Sequence, residues 1–170
     1  MAKDENPRKP SALWKAMTEE QRRRAAEAFW TDEESTAEQT EVMLLLARKL
    51  NFRYKSIQAM ARERKVAHLI KLGGISEAVA GRLLVTYHLA TQRPMMSAFL
   101  DALGIAHENG LISDDEMPAP EPEKLAAAAA AITAGYPAED VRLYFSTLLL
   151  QDPETWGGLA EHLPPQPGPA

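Results

Sequence analysis

Residues 77–91 read EAVAGRLLVTYHLAT. On a helix drawn through this stretch, apolar side chains point in nearly every direction, and only Arg82, Thr86 and His88 interrupt them between the two ends. A helix that is apolar on all sides is buried in a protein or in a membrane, and this stretch is too short to span a bilayer. The sequence therefore predicts a buried central helix with other helices packed around it.

Local signals on both sides of this stretch predict those other helices. Thr18–Gln21 has the pattern of a capping box, in which Gln21 reaches back to the cap, and 35–38 is a second candidate box. Apolar residues then recur at helical spacing over 37–50. Further along, Pro94 and Gly104 mark the start and the end of another largely apolar helix.

The fold class follows from these helices and from the lack of strand signals. β-Branched residues are scarce, and stretches of alternating polarity are absent. We therefore predict an all-α fold, either a multi-helix bundle or a short α-solenoid-like array around the helix at about 77–91. The solenoid alternative rests on a possible internal repeat. A helix, a proline-containing joint and a second helix are predicted at 84–100 and again at 143–159.

Proline, glycine and charge divide the chain into segments. The predicted segments are a disordered N-terminus at 1–10, a main helical domain at 11–112, a Pro-rich acidic linker at 113–123, a C-terminal helical hairpin at 124–163 that packs on the main domain, and a Pro-rich tail at 164–170. Within the main domain, Asn109-Gly110 is a turn signal.

The sequence lacks the motifs of several classes of function. No cysteine is present, which excludes disulfides and thiolate chemistry. The four histidines lack the spacing of a helical metal site, and neither a nucleophile elbow nor a phosphate-binding glycine loop occurs. We therefore predict no catalytic residue, no metal and no cofactor. The polar N-terminus has no signal-peptide pattern, so we expect a soluble cytoplasmic protein that does not enter a membrane.

Four polar residues interrupt the two most apolar predicted helices. They are Arg82, His88, Arg93 and Asp101. Buried charges normally pair, so one interpretation is structural, with Arg93 bound to Asp101 or Arg82 bound to an acid of the linker. The other is a small-ligand pocket where the four side chains converge.

Charge is distributed unevenly along the chain. Between residues 48 and 71, eight basic residues face a single acid, whereas from 108 to the end eleven acids face two basic residues. The basic stretch is a candidate face for nucleic acid or for an acidic partner, and it is formed by Arg48, Lys49, Arg53, Lys55, Arg62, Arg64 and Lys65. The segment 63–91 also resembles a helix-turn-helix unit around the turn at 72–76.

The leading hypothesis from the sequence is a non-enzymatic helical module that binds another protein or self-associates. It relies on the missing catalytic motifs and on three tryptophans near loop ends, Trp14, Trp30 and Trp156. These are candidates for exposed positions, since aromatic residues are favoured at interfaces, although such residues are more often part of the core. The alternative is nucleic-acid binding through the basic stretch 48–71.

Overall fold

The computed structural model describes residues 9–114 and 116–165, and these residues form an all-α fold, as predicted. The α-helices are α1 (Pro10–Ala16), α2 (Glu19–Thr31), α3 (Thr36–Leu50), α4 (Tyr54–Gln58), α5 (Arg62–Ile70), α6 (Glu77–Thr91), α7 (Arg93–Leu103), α8 (Pro122–Gly135), α9 (Ala138–Gln151) and α10 (Pro153–Trp156). Short 3-10 helices lie at Glu33–Ser35 and Gly157–His162, and a two-stranded hairpin is made by β1 (His107–Glu108) and β2 (Leu111–Ile112). No helix within the described ranges combines the length and the apolarity that crossing a membrane would require.

The chain divides into two compact units between Thr91 and Gln92. The first unit holds α1 to α6, and the second holds α7 to α10 with the hairpin. The division falls at the joint before Pro94, where α6 ends. The predicted segments at 11–112, 113–123 and 124–163 stay predictions. Those at 1–10 and 164–170 lie mostly outside the described residues.

In the first unit, α6 is the central helix that its sequence predicts. It packs against α1, α2 and α3. Its buried side chains come from several sides of the helix and include Val79, Ala80, Leu83, Leu84, Tyr87 and His88. Burying one such large apolar side chain contributes about 1.5–3 kcal/mol, so this helix is a main source of stability for the unit. At its start, the Ser76 hydroxyl accepts a hydrogen bond from the Val79 N–H at 3.2 Å.

The two predicted capping boxes have different outcomes. At α2 the box is present, because the Thr18 hydroxyl accepts from the Gln21 N–H at 3.1 Å and the Gln21 side chain accepts from the Thr18 N–H at 2.9 Å. At α3 the prediction is wrong, since the Ser35 side chain makes no cap hydrogen bond to the helix. The Ser35 hydroxyl is buried and donates to Asp32 at 2.5 Å instead.

The first turn of α1 is bound by a carboxylate from α6. Glu77 accepts from the Ser11 hydroxyl at 2.5 Å and from the Ser11 N–H at 3.0 Å. These hydrogen bonds, together with the nearby cations Lys9 and Lys15, hold the pKa of Glu77 below its ordinary value of 4.5. The charged carboxylate therefore fastens the short helix α1 onto the central helix.

This pairing predicts a pH-dependent part of the stability. Because the pKa of Glu77 is lowered in the folded chain, its contribution is complete above pH 4.5 and is lost as the pH falls through the folded pKa. We expect Glu77→Gln to lower the free energy of unfolding at neutral pH by less than about 1 kcal/mol, since the pair is exposed to solvent. Urea unfolding followed by circular dichroism at a series of pH values measures the difference.

The control for this experiment is Glu161→Gln, which removes an exposed carboxylate from the 3-10 helix at Gly157–His162. It should leave the pH profile unchanged. A gap between the natural chain and Glu77→Gln that persists undiminished at pH 2 would show that the ionised carboxylate is not its source.

In the second unit, aromatic rings from three helices meet around Phe99 of α7. Its ring centroid lies 5.6 Å from that of Tyr144, 5.1 Å from that of Phe145 and 5.9 Å from that of Trp156. Phe99 and Phe145 are fully buried. This cluster joins α7, α9 and α10 and forms the core of the unit.

The expected exposure of the tryptophans is wrong for two of the three. Trp14 is 4% exposed and Trp156 is 2% exposed. Each lies on a short helix, and its indole side chain points into the interior of its own unit. A tryptophan that is close to a loop in the sequence is therefore not necessarily exposed. Trp30 is partly buried, and the ammonium of Lys65 lies 5.3 Å from its ring centre. None of the three therefore supports an exposed aromatic anchor.

The hairpin after α7 was predicted as a turn without strands. Asn109 and Gly110 have φ angles of 49° and 92°, as in the type I′ turns that Asn-Gly favours. The residues on either side pair in antiparallel register, Glu108 with Leu111 and His107 with Ile112. Each strand has only two residues, which is too short for the alternation by which strands are recognised in a sequence.

Candidate functional site

The four residues of the predicted polar cluster lie in different units. Arg82 and His88 belong to α6, and Arg93 and Asp101 belong to α7. Within the first unit, the Arg82 guanidinium donates to the Glu34 carbonyl at 3.0 Å and lies 3.7 Å from the Glu38 carboxylate. Within the second unit, the Arg93 guanidinium donates to the Asn109 carbonyl at 2.9 Å. The convergence of all four residues on one ligand stays a prediction.

His88 is a buried histidine that bonds to its own helix. It is 4% exposed, and its Nδ1 lies 2.7 Å from the Leu84 carbonyl oxygen. Because a carbonyl oxygen can only accept, Nδ1 carries the hydrogen in this contact. The imidazole ring also makes an edge-to-face contact with Tyr87 at 5.5 Å. These contacts orient the ring within the core of the first unit.

Asp101 takes part in a constellation that sequence reasoning missed. Its carboxylate lies 2.7 Å from Nε2 of His107, and the other ring nitrogen, Nδ1, accepts from the Gly110 N–H at 3.1 Å. Since Nδ1 accepts, Nε2 is the protonated nitrogen and donates to Asp101. Nε2 thus fastens the hairpin to the end of α7, and Nδ1 closes the turn within the hairpin. The sequence does contain a signal for the Asp101–His107 pair. Asp101 and His107 flank the glycine that ends α7, and His107 closely precedes the predicted turn.

Most of the predicted basic side chains are exposed. Those on the surface are Arg48, Lys49, Arg53, Lys55, Arg62 and Arg64. Lys65 is the exception, because it is partly buried over the ring of Trp30. The exposed cations come from the end of α3, the segment at 51–55 and the start of α5. That they act together as one face for nucleic acid or an acidic partner stays a prediction.

The helix-turn-helix resemblance finds no support in the placement of α6. In that hypothesis α5 is the first helix and α6 the recognition helix. A recognition helix must present its side chains to base edges and phosphates. α6 instead buries most of its residues against α1, α2 and α3, and its arginine, Arg82, bonds to Glu34 and Glu38. The nucleic-acid alternative therefore depends on the exposed cations alone.

A groove lies between α2 and α5 in the first unit, with a volume of about 900 Å³. Its floor is apolar and comes from one side of α5, where Val66 is buried, Ile70 is partly buried and Ala67 is exposed. Charged residues form both edges. On α2 these are Glu19, Arg23 and Glu27, and on the opposite side they are Arg62 and Glu63 of α5 and Lys71 directly after it.

The α2 edge of the groove is held in place by its own ion pairs. Arg23 donates to Glu20 at 2.6 Å and to Glu27 at 2.9 Å, and Arg24 donates to Glu20 at 3.0 Å. Bonds from Arg23 and Arg24 hold the pKa of Glu20 below its usual range, and Glu20 raises the pKa of Arg23. All of these groups are exposed, so the ion pairs contribute little to the stability of the fold. They do fix the arrangement of charge along this edge.

Within residues 9–114 and 116–165, no group of three or more histidine, aspartate or glutamate side chains lies close enough together to hold a metal ion. The helical spacing of the groove residues on α5 was visible in the sequence, but their position opposite α2 was not. Neither the family models, nor the curated proteins, nor the solved structures contain a match to this chain.

Proposed function

We propose that this chain is a non-enzymatic, cytoplasmic helical module that binds an amphipathic helix of a protein partner in the α2–α5 groove. The observation that supports the proposal is the groove itself, an open channel with an apolar floor between two charged edges. Grooves of this kind accept the apolar stripe of a helix, whose anchors recur at i, i+3, i+4 and i+7. Charged residues flanking that stripe then pair with the edges and set the orientation.

The charges of the two edges define the partner further. On the α5 side, Arg62 and Lys71 lie at opposite ends of the groove. Acidic side chains of a partner helix fit this side. On the α2 side, the guanidinium of Arg23 is already bound by Glu20 and Glu27, so a cation of the partner fits the remaining carboxylate of this edge, Glu19. The favoured ligand is an amphipathic helix with acids on one flank of its apolar stripe and basic residues on the other.

A synthetic helical peptide of about 18 residues, roughly 27 Å long, tests the proposal. It carries leucines at i, i+3, i+4 and i+7, with glutamates on one flank and lysines on the other. We expect it to shift the backbone amide resonances of α2 and α5, and a scrambled peptide of equal composition to shift none. Ala67→Trp fills the floor at an exposed position and should weaken binding at least tenfold, which is about 1.4 kcal/mol.

Ala127→Trp is the matched control, because Ala127 is an exposed alanine on α8 of the second unit. It should leave the affinity unchanged. If both peptides bind equally, or if Ala67→Trp has no effect, the groove is not a helix-binding site.

Nucleic-acid binding remains the alternative function, and the exposure of Arg48, Lys49, Arg53 and Lys55 favours it. Phosphate contacts by such residues make the affinity fall steeply with salt. Fluorescence anisotropy with labelled single-stranded and duplex oligonucleotides at low salt is the appropriate measurement. Absence of binding under these conditions eliminates the alternative.

A further inference from the structure

The exposed large hydrophobic side chains of the described chain lie in two stretches of opposite charge. They are Leu44 (48% exposed), Phe52 (47%) and Leu111 (47%). Leu44 and Phe52 flank cations of the basic stretch, whereas Leu111 lies among acids. A single exposed leucine needs no explanation. The two sites here are complementary in two ways, because their apolar side chains can pack against each other and the charges around them have opposite signs.

The first of these surfaces is a basic–apolar patch, formed by Leu44, Arg48, Lys49, Phe52, Arg53 and Lys55. A left-handed residue, Asn51 (φ 55°), ends α3, and the Phe52 N–H donates back to the Ala47 carbonyl at 3.0 Å. This bond fixes Phe52 beside the last turns of α3. Leu44 lies one turn before Arg48 on the same helix face.

The cations of the patch are available to a partner. Arg48, Lys49, Arg53 and Lys55 are exposed, and none of them forms an ion pair with a described residue of its own unit. The ammonium of Lys49 donates to the Lys71 carbonyl at 3.4 Å, which leaves its charge without an anion.

The second surface is an acidic–apolar segment, formed by Glu108, Leu111, Asp114 and Glu116. Leu111 pairs directly with Glu108 across the hairpin. The hairpin is bound to α7, because His107 donates to Asp101 at 2.7 Å and the Arg93 guanidinium donates to the Asn109 carbonyl at 2.9 Å. All four residues are exposed, and within the described part of their unit the three acids form no ion pair.

We infer that the basic–apolar patch of one chain binds the acidic–apolar segment of a second copy. Such a partner supplies both things that the patch lacks, carboxylates for the cations and an apolar side chain for Leu44 and Phe52. The two surfaces differ, so the contact is heterologous. Each chain offers its basic–apolar patch to one neighbour and its acidic–apolar segment to another. Repetition of the contact gives rings or open filaments.

This inference does not depend on the proposed function. None of the residues of the basic–apolar patch lines the α2–α5 groove. Peptide binding in the groove and self-association through the patch can therefore fail separately.

Sedimentation velocity over a range of protein concentrations, at about 0.05 M and about 0.5 M salt, is the first test. Screening shortens the reach of exposed charges from more than 10 Å to a few ångströms over this range. We expect oligomers that grow with concentration at low salt and a shift toward monomer at high salt. A chain that is monomeric at every concentration at low salt overturns the inference.

Charge reversal gives the sharper test. Arg48→Glu/Lys49→Glu/Arg53→Glu leaves the patch with three acids and one cation, and Glu108→Lys/Asp114→Lys/Glu116→Lys turns the three acids of the segment into cations. Each variant alone then has two surfaces of the same sign, so we expect its association constant to fall at least tenfold. In a mixture of the two variants every contact between unlike chains is attractive again, and association should return to within a few-fold of the natural level.

Glu139→Lys/Glu154→Lys/Glu161→Lys is the control for net charge, because it reverses three exposed acids of the second unit outside the segment. It should associate like the natural chain. Phe52→Ser should weaken association without any change of charge. The inference is wrong if the mixture stays monomeric, if the reversed variants still associate alone, or if the patch binds oligonucleotides while the chain stays monomeric. Circular dichroism verifies that each variant is folded.

Discussion

Replacement of Phe99 by alanine is expected to lower the free energy of unfolding by about 3–5 kcal/mol. The ring is fully buried and meets Tyr144, Phe145 and Trp156 from α9 and α10. Burial also raises the pKa of the Tyr144 phenol, as expected for a dry cluster. Three large rings held by two further helices cannot close the cavity, and the contact with Tyr144, at 86° between the ring planes, is lost as well.

Urea unfolding followed by circular dichroism measures this loss. Phe52→Ala serves as the control, because it removes the same ring from a site that is 47% exposed, where we expect a change within about 0.5 kcal/mol. A loss below about 1 kcal/mol for Phe99→Ala would mean that the aromatic cluster does not form the core of the second unit.

The parts of the fold that the sequence predicts are those with a local cause. The burial of α6 follows from the lack of a polar side on 77–91, and the all-α class follows from similar patterns along the chain. Asn51 and Gly104 end their helices with positive φ, as such residues commonly do. The Thr18 capping box needs only four consecutive residues. In each case the pattern that predicts the structure lies within a short run of consecutive residues.

The parts that were missed depend on residues far apart in sequence. Ser11 binds Glu77 across 66 positions, and Arg82 binds Glu34 across 48. The groove likewise requires that α5 lie beside α2, which helical periodicity alone does not specify. Charge shows only that Arg82 needs a partner, so the acidic linker was as reasonable a choice as Glu34 or Glu38. The Asp101–His107 pair is different, since it is local and follows from the turn once the hairpin is recognised.

The second large effect is expected at Gly110, where alanine should destabilise the chain by roughly 2–4 kcal/mol. Gly110 has a φ of 92°, which side chains rarely adopt, and a Cβ added there would lie 2.9 Å from Cβ of Met96. That atom is fixed to the α7 backbone and cannot turn away. The backbone must shift instead, and the shift disturbs the bond from the Gly110 N–H to His107.

Gly104→Ala separates the two causes, because Gly104 also has a positive φ, 69°, but no atom lies within 4 Å of an added Cβ. Gly104→Ala should lower the free energy of unfolding only by the cost of placing alanine at a positive φ, about 1–2 kcal/mol. The additional loss measured for Gly110→Ala is then the cost of the collision with Met96. Thermal unfolding of both variants gives the comparison. If the two losses are equal, the hairpin moves freely away from α7, and the acidic–apolar segment is not held against that helix. A larger loss at Gly110 shows instead that the hairpin is seated against Met96, which keeps Leu111 and Glu108 presented as one fixed surface.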